Sequence, residues 1–399
     1  MSLSIKKEYD VVVVGAGPGG SVAARFAAES GASVLFLERD RETGIPVRCA
    51  EGVSSPGLDQ FIDIDERWIA NEIYSARFIT PDGNTLDMKS HVKGYILERR
   101  IFDTALCDLA SQKGATMLTR ANVTHAKRTP DGLVEVAYTH VGTPKTVKCK
   151  IIIGADGIES RVGRWFGIKT NLSLTDVSSA IQYTINNIEI DPHRLEFHFG
   201  TNIAPGGYLW IFPKSANTAN IGIGITGNFA SEKPAKAYLD EFISKRFENP
   251  SINYTVFAGI PVARTLSEIV TDNVMLVGDA ARQVNPITGG GIKQAMIAGR
   301  LAGKLASEAV KTGNYSTKFL SKYPSEWDKV LGSKHSFIHA MKERVIYASD
   351  ERLNKISRAC AHIPPEKMTT LELFKQVVKG DPKLVLDMSK AFLADKFTT

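Results

Sequence analysis

Cysteine is scarce in this chain. Only Cys49, Cys107, Cys149 and Cys360 occur in 399 residues, with no CxxC or metal-ligand spacing among them. A disulfide scaffold and a metal site are therefore not expected; reduced thiols in a cytosol are. Long apolar runs are missing too. No uncharged stretch of about 18 apolar residues exists, so a membrane-spanning helix is not expected. No secretory leader is expected before the first strand. Basic residues form no dense stripe interleaved with aromatics, and a net charge of +6 is mild for this length. That balance argues against nucleic acid and permits contact with an anionic membrane surface. What remains, 43% apolar and 23% charged, is an ordinary globular composition with room for two or more cores.

The chain is organised around residues 9–38. Val11 to Val14 are four consecutive valines, a run too short for a buried helix, and they read as a parallel strand covered on both faces. Gly15, Gly17 and Gly20 follow at G-x-G-x-x-G spacing, within Gly15-Ala16-Gly17-Pro18-Gly19-Gly20. The first glycine allows a sharp turn, the second lets a pyrophosphate approach the backbone, and the third lets the helix lie close on the strand. Helix is predicted over Ser21–Ser30, capped at Gly31. A second strand, Val34–Leu37, ends at Glu38, which is placed to accept the hydroxyls of an adenosine ribose. Strand, glycines, helix, strand and acid in one register predict a dinucleotide site.

Residues 39–60 form a glycine-punctuated loop at the carboxyl end of that second strand, where a ligand crevice belongs. Cys49 lies in it beside Arg48, and a nearby cation favours the thiolate. Cys49 therefore reads either as an acid-base residue or as a small residue that lets the backbone approach a cofactor. A hairpin of a second sheet is expected over 73–97, turning at Pro81-Asp82-Gly83. Next comes a helix with Ile101, Ala105, Leu106 and Leu109 on one face, Arg99 at its start and Gly114 closing it. Strands at 115–119, 122–128, 133–140 and 145–153 lead to Ala155-Asp156-Gly157, an acidic group and free backbone N–H at the crevice edge. A third signal follows the buried strand Val274–Val277: Gly278 and Asp279, a proline-bearing loop, then Gly289, Gly290 and Gly291 opening a long helix. Amides free at that helix start suit an anion.

Residues 172–230 are short, alternating and β-branched, and predict an antiparallel sheet forming a separate wall. Tyr208, Trp210 and Phe212 are spaced to put three rings on one side of a strand. Such a wall suits a hydrocarbon. Gly222, Gly224 and Gly227 also match G-x-G-x-x-G, but no helical pattern opens there, so they are rejected as a nucleotide site. The last hundred residues read as helical. Their apolar spacing at Leu384, Met388 and Phe392 is better explained by core packing than by a membrane-facing stripe.

Taken together, Gly15–Gly20 with Glu38, the Arg99-Arg-Ile-Phe102-Asp103 helix start, Gly154-Ala-Asp-Gly157 with Ser160-Arg161, and Gly278-Asp279 with Gly289–Gly291 resemble the flavoproteins built like para-hydroxybenzoate hydroxylase. That resemblance covers the chain to about residue 330. It implies FAD, with the first glycines and Glu38 at the ADP half, the Ala-Asp-Gly turn near the pyrophosphate, and Gly278-Asp279 at the ribityl chain. It also brings Ala16, Pro18, Gly19, Arg39, Cys49, Ala50, Gly52, Arg99, Pro286 and Ile292 to the cofactor. Within that group the sequence resembles the geranylgeranyl reductases of the archaeal digeranylgeranylglycerophospholipid reductase type. The resemblance rests on the Arg48-Cys49-Ala50-Glu51-Gly52 loop, on Gly163 where hydroxylases usually carry arginine, and on Pro205-x-x-Tyr208-x-Trp210-x-Phe212-Pro213 with Gly222-x-Gly224 beyond it.

The family resemblance implies reduction of geranylgeranyl double bonds by hydride from flavin N5, in glycerophospholipids or in geranylgeranyl diphosphate. Substrate contacts are then expected at Tyr208, Trp210, Phe212, Pro213, Gly222 and Gly224, and Cys49 is the candidate donor beside the flavin. Partners are expected to be a polyprenyl lipid and an electron donor (NADPH, a ferredoxin or another reductant), with peripheral contact on the inner face of the cell membrane. The expected architecture is α/β with an α+β second layer. It combines a Rossmann-like FAD-binding domain (1–170, with inserted strands at 73–97, and 263–315), an antiparallel substrate sheet (171–262) and a helical region (316–399). An aromatic monooxygenase of the same fold and a non-catalytic lipid-binding flavoprotein are the competing readings. A Rossmann dehydrogenase without FAD would leave the Ala-Asp-Gly and Gly-Asp turns unexplained.

Overall fold

The computed structural model describes residues 5–345 and 347–368. The predicted stripe Leu384, Met388 and Phe392 lies outside the described residues. In chain order the first elements are β1 (Glu8–Val14), α1 (Pro18–Glu29), β2 (Val34–Leu37), β3 (Gly52–Ser54), β4 (Ile69–Ile79), β5 (Thr85–Leu97) and α2 (Arg99–Gln112). Next come β6 (Thr116–Leu118), β7 (Ala121–Arg128), β8 (Val134–His140), β9 (Thr143–Gly154), α3 (Arg161–Trp165), β10 (Val177–Asn186), β11 (Arg194–His198), β12 (Tyr208–Pro213) and β13 (Thr218–Thr226). The described chain closes with α4 (Ala235–Arg246), β14 (Ser251–Pro261), β15 (Val270–Thr271), β16 (Val274–Leu276), α5 (Ile292–Thr312), α6 (Thr317–Leu320), α7 (Lys322–Trp327), α8 (Ser333–Val345) and α9 (Asp350–Cys360).

Two sheets divide these strands. In the first, β16, β9, β1, β2 and β6 run parallel in that order, as the four-valine strand predicted, and β15 adds antiparallel at one edge. Val11, Val12 and Val13 are fully buried, covered on both faces. Gly15 turns the chain out of β1 at φ +99°, a conformation costly for any residue with a Cβ. A Cβ on Gly20 would collide with the Gly15 carbonyl oxygen, so glycine there sets how closely α1 lies on β1.

The second sheet has the order β14-β10-β13-β12-β11-β4-β5-β3 and is antiparallel except where β11 meets β4. The hairpin predicted at 73–97 is therefore part of the same sheet as β10–β14. One face of β10, β12 and β13 is sealed: Ile181, Leu209, Ile211, Ile221 and Ile223 pack against Leu239 and Ile243 of α4. At the far side α9 lays Cys360 beside Leu86 and Met88 of β5.

The α2 face is rotated from the sequence expectation. Phe102, Asp103, Leu106, Cys107 and Ala110 are buried, whereas Ile101 is 42% exposed. A carboxylate accounts for the error. Asp103 is buried because Arg99 pairs with it one turn earlier, at 2.7 and 2.8 Å, and an apolar periodicity does not count a paired charge as core.

Candidate active site

Two adjoining clefts open where β1, β2 and β9 end. One is lined by Gly17, Glu38, Asp40, Gly44, Arg48 and Arg99, the other by Gly15, Gly17, Glu38, Arg39, Asp156 and Gly157. Gly17 is shared, and a Cβ there would meet nothing within 4 Å, so its backbone faces open space. Glu38 is fixed at the rim by accepting from the Ala16 and Asp40 amides, each at 2.9 Å, which leaves its remaining lone pairs for hydroxyl donors. Asp156 accepts from the Val162 amide through Oδ2 at 2.9 Å, while its buried Oδ1 has no partner. Burial pushes its carboxyl up from the usual range. An open glycine backbone, an anchored acid and an unpartnered buried oxygen at one cleft fit the ADP half of FAD. Arg39 stands at the same rim, paired with Glu159 at 3.1 Å.

The third signal is linked to the crevice through Arg99, which lines it and acts on Asp279. Gly278 has φ +65° and leads into Asp279, whose carboxyl burial pushes up to about 6 against the pull of Arg99. Asp279 Oδ1 lies 3.4 Å from where a Gly291 Cβ would sit, and Gly291 caps α5 with no side chain bonded to its first amides. Ile292 is buried in the cluster against which Cys49 packs.

Cys49 and Arg48 part company in the structure. Arg48 is exposed and belongs to the nucleotide cleft. The cation that acts on the Cys49 thiol is Arg99, and burial outweighs it, pushing the thiol up from its ordinary value. The expected thiolate is thus corrected to a neutral thiol, whose Sγ accepts from the Glu51 amide at 3.2 Å. Glu51, a non-glycine residue at φ +71°, anchors the loop from within. Its Oε1 accepts from the Arg99 amide at 3.1 Å; its Oε2 accepts from Lys214 Nζ and Asn220 Nδ2, both at 2.7 Å. Sequence reading missed Glu51, Lys214 and Asn220 as site residues. Their partners lie far along the chain, and no local spacing signals them.

Tyr208, Trp210 and Phe212 do share a face, with Leu209 and Ile211 on the opposite one under α4. Tyr208 and Trp210 meet edge to face at 5.9 Å. The wall extends further than expected. Phe197 on β11 joins Tyr208 at 5.5 Å and Phe212 at 5.6 Å, Phe199 lies 5.9 Å from Tyr208, and Phe78 on β4 stacks on Phe197 at 5.3 Å. The Phe197-x-Phe199 alternation was the available signal. Gly52 sits in β3 beside the Phe212 ring, with room for that ring and none for a Cβ, which would lie 2.6 Å from Cε2. Gly222 likewise leaves space for the Trp210 indole, which explains the first glycine of the rejected triplet; a Cβ on Gly224 would meet Ser178 Oγ and one on Gly227 the Leu174 carbonyl oxygen. Pro213 closes β12 on the Leu209 side. Tyr208 donates to the Thr288 carbonyl at 2.5 Å, so the wall abuts the loop before α5. The neutral thiol, the Arg99 guanidinium and the aromatic wall thus converge where the nucleotide crevice meets the second sheet, an arrangement able to hold an apolar chain beside a proton source.

Comparisons with known proteins agree with that layout. Residues 10–171 match the family model described as FAD dependent oxidoreductase, and residues 176–260 match the geranylgeranyl reductase catalytic domain. A protein of Methanococcoides burtonii named digeranylgeranylglycerophospholipid reductase 1 is 39% identical over 99% of this chain and 98% of its own. A digeranylgeranylglycerophospholipid reductase of Methanosarcina acetivorans is 40% identical over 97% of each. Among solved structures, a geranylgeranyl bacteriochlorophyll reductase-like protein of Thermoplasma acidophilum superposes with a TM-score of 0.91 at 35% identity, covering 96% of this chain and 99% of that one.

Proposed function

This chain belongs to the geranylgeranyl reductase family of FAD-dependent oxidoreductases, and from that premise we propose that it saturates the geranylgeranyl chains of a membrane glycerophospholipid with Cys49 as proton donor. The observation that carries the donor assignment is the placement of Cys49, packed in the cluster that holds Ile292 at the α5 start and tied through Gln182 to Trp210 of the aromatic wall, with Arg99 acting on its thiol. Bound in the crevice, FAD supplies the hydride that alkene reduction consumes.

The protein's own residues supply the rest. An isolated alkene has no carbonyl to polarise it, so alignment and a proton for the second carbon must lower the barrier. Tyr208, Trp210, Phe212, Phe197 and Phe78 offer an apolar face along which a polyprenyl chain lies with water excluded. Cys49 Sγ, protonated in the resting site, gives up its proton. The thiolate left behind is stabilised by the Arg99 guanidinium and the Glu51 amide. Gly15, Gly17, Glu38 and Asp156 would hold the ADP half, and Asp279 with the free amides at the α5 start would hold the remainder of the cofactor.

Among the described residues no helix is long and apolar enough to cross a membrane. Access to the lipid is therefore read as reversible contact at the inner face of the cell membrane, favoured by the +6 net charge. The reducing partner is NADPH, a ferredoxin or another reductant. Cys49→Ser tests the donor assignment. In single-turnover mixing of dithionite-reduced protein with geranylgeranyl lipid, the variant should bind lipid and oxidise its flavin far more slowly. A wild-type rate would remove Cys49 from the chemistry.

A further inference from the structure

One row of residues crosses three strands of the second sheet in register: Trp210 on β12 pairs with Gly222 on β13, and Gly222 pairs with Gln182 on β10. Neighbouring strands lie about 4.8 Å apart, so Trp210 and Gln182 are separated by roughly 10 Å of sheet. Only side chains laid across β13 can meet. Gly222 leaves that path free, since a Cβ there would fall 2.6 Å from indole Cε2. Across the gap Trp210 Nε1 donates to Gln182 Oε1 at 3.1 Å, and Gln182 Nε2 donates to the Cys49 carbonyl at 2.9 Å. Gln182 is 5% exposed. An indole N–H only donates and a carbonyl only accepts, so the amide satisfies both partners in one orientation alone.

We propose that Gln182 is a positioning residue that keeps Cys49 in fixed register with the aromatic wall, so that a chain seated against Trp210 is aligned with the Cys49 thiol. This rests on reading Cys49 as the proton donor. The sheet also holds the two residues that follow: Asn220 Nδ2 donates to the Ala50 carbonyl at 3.4 Å, and Lys214 and Asn220 hold Glu51. Of these clamps, the Gln182 amide is the one that also bonds a ring of the wall. It converts the position of the ring into the position of the thiol.

Gln182→Met, similar in length and without the amide, should keep bound FAD and loosen the loop. Two readouts follow in the full-length FAD-loaded protein. The rate of iodoacetamide labelling at Cys49, read by peptide mass, should rise several-fold, with Cys107, Cys149 and Cys360 protected by burial. Single-turnover alkene reduction per bound FAD should fall roughly tenfold, the factor expected for losing one buried hydrogen bond, the one of the two lost that holds the Cys49 carbonyl. Adding Gln182→Met to Cys49→Ala should slow the reaction by less than about twofold beyond Cys49→Ala alone, because a residue acting through Cys49 has nothing left to position. Unchanged labelling and rate, or a full further loss in the Cys49→Ala background, overturns the coupling. A Cys49→Ala protein at the wild-type rate overturns the donor reading itself, which is a distinct result. Should Gln182→Met not retain FAD, isosteric Gln182→Glu above neutral pH removes the donor to the Cys49 carbonyl and is read by the same two measurements.

Discussion

Breaking the Glu51–Lys214 pair from its two ends should give unequal losses. Glu51 and Lys214 side chains are 4% and 15% exposed, and Nζ lies 2.7 Å from Oε2. Lys214→Met leaves a carboxylate in the interior with the Asn220 and Arg99 amide donors still in place. Removing one partner of a buried pair costs about 3–5 kcal/mol, and the remaining donors place this case near the lower end, about 3 kcal/mol. Glu51→Gln is milder. It leaves an ammonium that still has Glu98 at 3.0 Å, on a side chain 43% exposed, so a loss of about 1–2 kcal/mol is expected. The pair of substitutions together should cost less than the sum, since the orphaned charge is gone. Urea unfolding of the FAD-loaded variants, followed by circular dichroism and by flavin release, measures all three. Equal losses, or strict additivity, would refute the reading of this contact as a buried, coupled pair. The pH sign is also fixed. Burial pulls the Lys214 ammonium down, Glu51 and Glu98 outweigh it, and the net shift is upward. The pair's contribution is therefore complete below about pH 10.4, the ordinary lysine value, and is lost as pH rises through the raised one.

Three further outcomes are expected. Gly17→Val should fold yet lose the yellow colour, because its side chain would occupy the open face of the nucleotide cleft; stoichiometric FAD in the folded variant, measured by absorbance, would contradict the pyrophosphate placement. Trp210→Ala should cut alkene turnover roughly 5- to 150-fold, corresponding to about 1–3 kcal/mol of lost packing, with FAD content unchanged; turnover per folded molecule equal to wild type would make the ring structural only. Protein should pellet with anionic liposomes at low salt and be released at high salt, since exposed charges are screened beyond about 10 Å at 0.1 M, and pelleting indifferent to both would remove the electrostatic contribution.

Local signals carried the first sheet. The valine run, the glycine spacing and the terminal Glu38 are all contained within thirty residues, and each follows from backbone sterics or burial within its own segment. The alternation at 208–212 was equally legible, because a strand has a side-chain period of two. What escaped was long-range. Sequence places Arg48 next to Cys49, whereas the fold brings Arg99 to it. Glu51 meets Lys214 and Asn220, and Gln182 meets Cys49, across separations of 163, 169 and 133 residues that no periodicity records. The α2 face is hidden from periodicity for a related reason: Asp103 is buried because Arg99 neutralises it. Gly222 and Gly224 show the converse case. Their motif match opens no helix, and the space needed by the Trp210 indole and by Ser178 Oγ supplies the reason for glycine at the two positions.

The central claim is chemical, and mass is its most direct measure. The purified protein, reduced with dithionite under anaerobic conditions and mixed with a geranylgeranyl glycerophospholipid, should reoxidise its flavin and yield lipid heavier by two hydrogens for each double bond consumed. Lipid recovered at unchanged mass, with the flavin still reduced, would contradict the account.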